Sequence, residues 1–191
     1  FVSLIAFLQY YRSGYFQWKL FWPFALVSIP AAFIGGLITV DAGLYKKILA
    51  VLLFFPILKL AGIKFQTEQS IKELNLYTAL IIGVVIGFFS GMIGIGGGII
   101  LSPVILLLHW ADIKHTAAVS ALFIFVNSIA GLAGIFMNEF HFKNEMSLMI
   151  VIAFAGGLAG SYFGAKKFEN IFLKRMLAAV LVIASIKLII T

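Results

Sequence analysis

Residues 87–103 read GFFSGMIGIGGGIILSP, and the fold turns on how this stretch is understood. It sits inside an apolar run from 76 to 110 that carries no charged residue. Glycine costs roughly 1 kcal/mol against alanine at each helical position, so Gly96, Gly97 and Gly98 in succession break any helix built here. Backbone freed at membrane depth is tolerated only where it is buried in protein or lines a polar cavity. At about 1.5 Å per residue the run is too long for one crossing and too short for two. It therefore predicts a hairpin of two helices that enters and leaves on one side and turns near Gly94–Gly98. The helix after Gly98 would aim its first N–H groups and positive dipole end inward, an arrangement that suits an anion.

The rest of the chain fits that setting. Hydrophobic residues make up 63% of the 191 and charged residues only 11%, with a mean hydropathy of +1.13. A soluble domain carries about 25% charged residues, so a soluble enzyme and a nucleic-acid-binding domain are excluded. The net charge of +7 comes from Lys and Arg spread through short loops, the pattern that sets membrane topology rather than one that tracks phosphates. There is no cysteine, hence no disulfide, thiolate metal site or thiol relay. Apolar segments at 1–11, 20–40, 46–62, 116–137, 146–165 and 171–190 flank the long run. Pro30 should kink the second, and Trp18, Trp22 and Trp110 fall near span ends where such rings settle at the interface. The chain opens inside an apolar run without the charged start of a signal peptide.

A shift of about 128 positions lays Lys46-Lys47-Ile-Leu-Ala on Lys174-Arg175-Met-Leu-Ala, and Lys59-Leu60 on Lys187-Leu188. It also superposes Ala32 and Gly36 on Gly160 and Gly164, small residues four apart that let helices approach closely. The fold expected is an all-α polytopic membrane protein of two related, inverted helical repeats with a re-entrant, glycine-broken helix pair. Residues 1–63 are the remainder of the first repeat, 64–75 a polar linker and 76–191 the second repeat. On that reading a segment on the order of 50 residues with its own glycine break precedes Phe1. The hairpin puts Arg12, Lys19, Lys64, Lys72, Lys114, Lys166, Lys167, Lys174 and Arg175 on one side, and Lys46, Lys47 and Lys143 on the other. A single crossing would divide the charges far more evenly, so the positive-inside rule favours the hairpin.

The run GxxSGxxGxGGG followed by Pro103 resembles the TauE/SafE family of sulfite exporters, also described as 4-toluenesulfonate uptake permeases. His115-Thr-Ala-Ala-Val-Ser120 resembles that family's next helix. The likeness covers essentially the whole chain but lacks the first-half copy of the glycine motif, so a site shared between the halves is only half visible. It implies transport of small sulfur-containing or organic anions across a bacterial inner membrane.

The residues add to this independently. All seven acids (Asp41, Glu68, Glu73, Asp112, Glu139, Glu145 and Glu169) fall in loops or at span ends. Cation pumps usually keep a carboxylate inside the membrane, so an anion or neutral solute is expected in place of a metal cation. Gly83 and Gly87 read as a packing face, and Gly91 continues their spacing. Ser90, Ser102, Ser120 and Ser128 lie within spans, where a serine commonly bonds the carbonyl one turn back. Asn127 is expected to need a partner helix or a substrate, and shares a helix face with Ser120. Lys114 and His115 read as interfacial charges, with an anion-attracting vestibule as the alternative; Lys59 and Lys187 should snorkel. The candidate substrate-binding set is Ser90, Gly91, Gly94, Gly96, Gly97, Gly98, Ser120 and Asn127. No catalytic residue, metal or cofactor is expected. The function expected is alternating-access transport of a small anion such as sulfite or a sulfonate. A channel-like anion permease and a non-transporting scaffold subunit remain alternatives. The partners expected are the anion and the lipid bilayer, not nucleic acid, with a homo-oligomer left open.

Overall fold

A computed structural model describes residues 2–38, 71–94, 96–137 and 146–190, with side chains described from 150 to 183 in the last segment. Lys46, Lys47, Lys59, Lys64 and Lys143, the acids Asp41, Glu68, Glu139 and Glu145, the segment 46–62, most of the linker 64–75 and the Lys187 side chain lie outside the described residues.

The described residues form seven helices: α1 (Val2–Arg12), α2 (Trp18–Gly36), α3 (Leu76–Ile93), α4 (Gly98–Leu107), α5 (Ile113–Ile135), α6 (Met146–Lys166) and α7 (Asn170–Ile190). No strand occurs among them. Three are long and apolar enough to cross a membrane, namely α2, α3 and α5. Their starts are set by local chemistry. Asn75 caps α3 by accepting from the Thr78 N–H at 3.2 Å, and Asp112 caps α5 by accepting from the His115 N–H at 2.9 Å. Each such cap contributes about 1 kcal/mol. Pro23 and Pro30 both lie inside α2.

The centre of the molecule is α2, α3 and α5 packed by small residues. On α3, Gly83 faces Phe24 and Val27, Gly87 faces Ser28, and Gly91 faces Ala32. At the end of α2, Gly36 meets Gly131 of α5. A Cβ at Gly87 or Gly91 would run into α2 backbone; the helices lie this close because those side chains are missing. Phe24, Leu101, Ile105, Val119 and Phe123 fill the core beside this seam, wholly buried.

Beyond the break, the chain doubles back. The Lys72 N–H, just ahead of α3, donates to the His109 carbonyl, just after α4, at 2.8 Å. Thus α3 and α4 form a helical hairpin with both ends together and its tip at Gly94–Gly97. Phe24, early in α2, packs its ring 6.0 Å from Trp110, just ahead of α5, while Gly36 meets Gly131, so α2 and α5 run the same way. The turn after α1 lies at the start of α5, where Lys114 Nζ reaches Tyr15 OH at 3.4 Å. Val2 meets Gly157 and Tyr10 meets Gly164, so α1 and α6 run together, opposite to α2 and α5.

Two expectations need correction. Trp110 is not an interfacial ring: it is buried against Phe24, because the hairpin returns it to the core. Trp18 and Trp22 are exposed, as expected of interfacial rings. Gly160, expected to form a close helix contact, has nothing within 4 Å among the described residues; its face of α6 is exposed.

Candidate functional site

The break lies at the mid-height of α5. Gly94 ends α3 in the left-handed conformation (φ 77°), its N–H bonded to the Ser90 carbonyl at 2.8 Å. Gly96 and Gly97 are also left-handed, at φ 74° and 73°, a region that costs other residues about 1–2 kcal/mol. Gly97 is the N-cap of α4 and has no side chain to cap it. The first N–H groups of a helix lack intrahelical acceptors, so α4 begins with donors and a positive dipole end. Ile124, the midpoint of α5, lies against both Gly96 and Gly98.

Polar side chains surround this break. Ser128 Oγ lies 2.7 Å from where a Cβ on Gly96 would stand, and Ser90 Cβ lies 3.1 Å from the equivalent point on Gly97. Phe123 and Ile86 close the other sides of Gly97. Ser90 is 3% exposed and its Oγ has no hydrogen-bond partner among the described residues. Asn127 is 1% exposed, on the stretch of α5 between Phe123 and Ser128, and its Oδ1 likewise has no partner among the described residues. Buried polar groups are normally paired, and an unpaired one costs roughly 1–3 kcal/mol. Ser90 and Asn127 are two such groups on the helices next to the break.

The expected residues sort into two groups. Ser90, Gly96, Gly97 and Gly98 gather at the break, and Asn127 lies on α5 between Phe123, which touches Gly97, and Ser128, which touches Gly96. Gly91 does not: it belongs to the α2–α3 seam. Gly94 is a helix cap whose N–H is already bonded and whose missing Cβ would meet open space. Ser120 is tied up as well. Ser102 Oγ lies 2.9 Å from both the Gly98 carbonyl and Ser120 Oγ. A hydroxyl has one proton, so when Ser102 donates to Gly98, Ser120 must donate to Ser102. The pair pins α4 to α5 just behind the break.

Asn127 also corrects an expectation. Its Nδ2 donates to the Phe123 carbonyl of its own helix at 2.9 Å, so the amide half pairs locally after all. A carbonyl only accepts, which fixes the amide orientation and leaves Oδ1 facing away. Two buried hydroxyls escaped the sequence reading. Ser28 Oγ in α2 and Thr116 Oγ1 in α5 are fully buried and have no partner among the described residues. The only signal for Ser28 was its place one turn before Ala32 and two before Gly36.

Outside the spans, His115 Nδ1 lies 2.8 Å from Asp112 Oδ1, and Lys114 Nζ lies 5.1 Å over the Tyr15 ring. Both stand at the start of α5, which suits the interfacial reading. Glu73, Asp112 and Glu169 all lie outside the helices. Among the described residues, no cluster of three His, Cys, Asp or Glu could hold a metal.

A helical hairpin broken at mid-height between apolar, membrane-length helices defines a polytopic membrane protein built around an internal polar break. The family profile of the sulfite exporter TauE/SafE matches residues 1–188, and the chain belongs to that family. It is 31% identical over 192 residues to a probable membrane transporter protein of Sinorhizobium fredii, covering 98% of this chain and 78% of the relative. A probable membrane transporter protein of Bacillus subtilis is 26% identical, covering 93% and 73%. One from Methanocaldococcus jannaschii is 27% identical over 133 residues, 68% of this chain and 49% of that protein. No solved structure matches the chain. These names are those of membrane transporters, not of enzymes.

Proposed function

We propose that this protein moves small anions, sulfur oxyanions or organosulfonates, across the membrane by alternating access around the Gly96–Gly98 break. The observation that carries the reading is the uncapped start of α4 against the midpoint of α5, with buried Ser90 beside Gly97 and buried Asn127 on α5 between the residues that touch Gly97 and Gly96, both without a partner among the described residues. Transporters place broken helices and their dipole ends at such a depth. Backbone N–H groups of Gly96, Gly97 and Gly98 donate to the anion, Ser90 and Asn127 complete the cradle, and Ser120 holds its wall through Ser102. Gly91 and Gly94 shape the approach of α3 without touching the ligand.

The hairpin is re-entrant and the repeats are inverted. Support for the first comes from the bond between Lys72 and His109. For the second, α2 and α6 match under the 128-residue shift and run in opposite directions. The contact of α1 with α6 parallels that of α5 with α2, with Gly164 and Gly36 in corresponding places. The family description adds sulfite to the candidate substrates.

Purified protein in liposomes should carry sulfite or a small sulfonate, saturably and without single-channel currents. Unitary currents would move the reading to a channel-like permease. Absence of flux for every anion tried, with folded protein, would leave a scaffold.

A further inference from the structure

Resting on the anion reading above, we propose that the ligand is a monoanion that carries its own hydrogen-bond donor, an O–H or N–H, which Asn127 Oδ1 accepts. The start of α4 offers donors only. An anion's oxygens satisfy those and can satisfy nothing that itself accepts. Asn127 presents the opposite need. Its Nδ2 is held by the Phe123 carbonyl at 2.9 Å, and its buried Oδ1 has no donor among the described residues. Ser120, the nearest hydroxyl on the same helix face, has its proton directed to Ser102 when Ser102 bonds Gly98. Ser90 can donate or accept, so it helps either kind of ligand and distinguishes none.

A fully deprotonated oxyanion would bring a second set of acceptor oxygens to Oδ1. A protonated oxyanion, or a sulfonate with a hydroxyl near its head, meets both ends of the site. The charge balance points the same way. Lys19 and Lys114 stand at the starts of α2 and α5, and the stretches of α2, α3, α4 and α5 that wall the break carry no Lys or Arg. Among the described residues, the positive complement at the break is the helix dipole, equivalent to about half a charge. That suits a monoanion over a dianion.

The test is a matched pair of anions in proteoliposomes, ethanesulfonate and 2-hydroxyethanesulfonate, which carry the same charge and differ by one hydroxyl. The wild-type protein should prefer the hydroxyl-bearing anion about tenfold or more in uptake at limiting concentration, the usual consequence of leaving a buried acceptor unpaired. Asn127→Leu and Asn127→Thr should bring the ratio close to one, the leucine by deleting the acceptor and the threonine by supplying a hydroxyl that serves either ligand. Ser90→Ala should lower uptake of both anions while keeping their ratio. Melting temperatures on the same preparations separate misfolding from lost selectivity, and the threonine variant serves if the leucine does not fold. Equal uptake of the two anions by wild type would overturn the inference and leave anion transport standing. A preference that survives in both Asn127 variants would remove Oδ1 from it. No uptake of either anion, nor of sulfite, would overturn the transport reading itself.

Discussion

The three left-handed glycines at the tip of the hairpin look alike in sequence but do different work. Gly94 caps α3 in open space, so Gly94→Asn, a residue that tolerates this conformation, should leave flux and stability near wild type. Gly97 shares the conformation, but a Cβ there would meet Ile86 Cγ2 at 2.9 Å and Phe123 at 3.0 Å. Gly97→Ala should therefore cost more than the roughly 1–2 kcal/mol of backbone strain and suppress flux; thermal melts and uptake on both variants check the contrast. The Ser102–Ser120 pair gives a second prediction. Either alanine replacement should cost about 0.5–1.5 kcal/mol, and the double variant less than the sum, since each removes the same bond. A double-mutant cycle on melting temperature reads this directly. The break and its glycines were legible in the sequence because glycine's conformational freedom is a local property. The separate fates of Gly91, Gly94 and Gly97 were not, because each depends on which neighbour stands where its side chain would be.

At the level of helices, the arrangement rests on α3 lying against α2 without side chains between them. Gly91→Leu would drive a side chain into the Ala32 backbone. Overpacking of this kind costs about 1–3 kcal/mol, and the variant should show reduced folded yield on size-exclusion chromatography. The hairpin itself is testable because the chain has no native cysteine. Cysteines replacing Lys72 and His109 should cross-link readily, and single cysteines at 72 and 114 should label from the same face of the membrane. Labelling from opposite faces would make α3 a full crossing. Run length and charge distribution in the sequence favour this fold-back. The burial of Trp110 was invisible to them, since an aromatic residue near a span end looks the same whether it meets lipid or Phe24.

Across the whole molecule, α6 presents Ile150, Val151, Ile152 and Phe154 outward. These side chains suit lipid. Ile152→Arg should impair membrane integration by up to roughly 2.5–3.5 kcal/mol, the cost of arginine at a helix centre, measurable as the inserted fraction in a glycosylation-reporter assay.

The sequence by itself determined that this chain lives in a bilayer, that its elements are helices, and that one apolar run is broken. Those conclusions follow from hydropathy, glycine content and charge, which act locally and need no knowledge of neighbours. Only the tertiary structure decided that the break stands at mid-height on α5, that Ser120 is occupied by Ser102, and that Asn127 satisfies its amide within its own helix yet keeps a bare acceptor. Which half of a buried amide is left unpaired depends on distances of about 3 Å between groups on different turns and helices, and no periodicity in the chain records them.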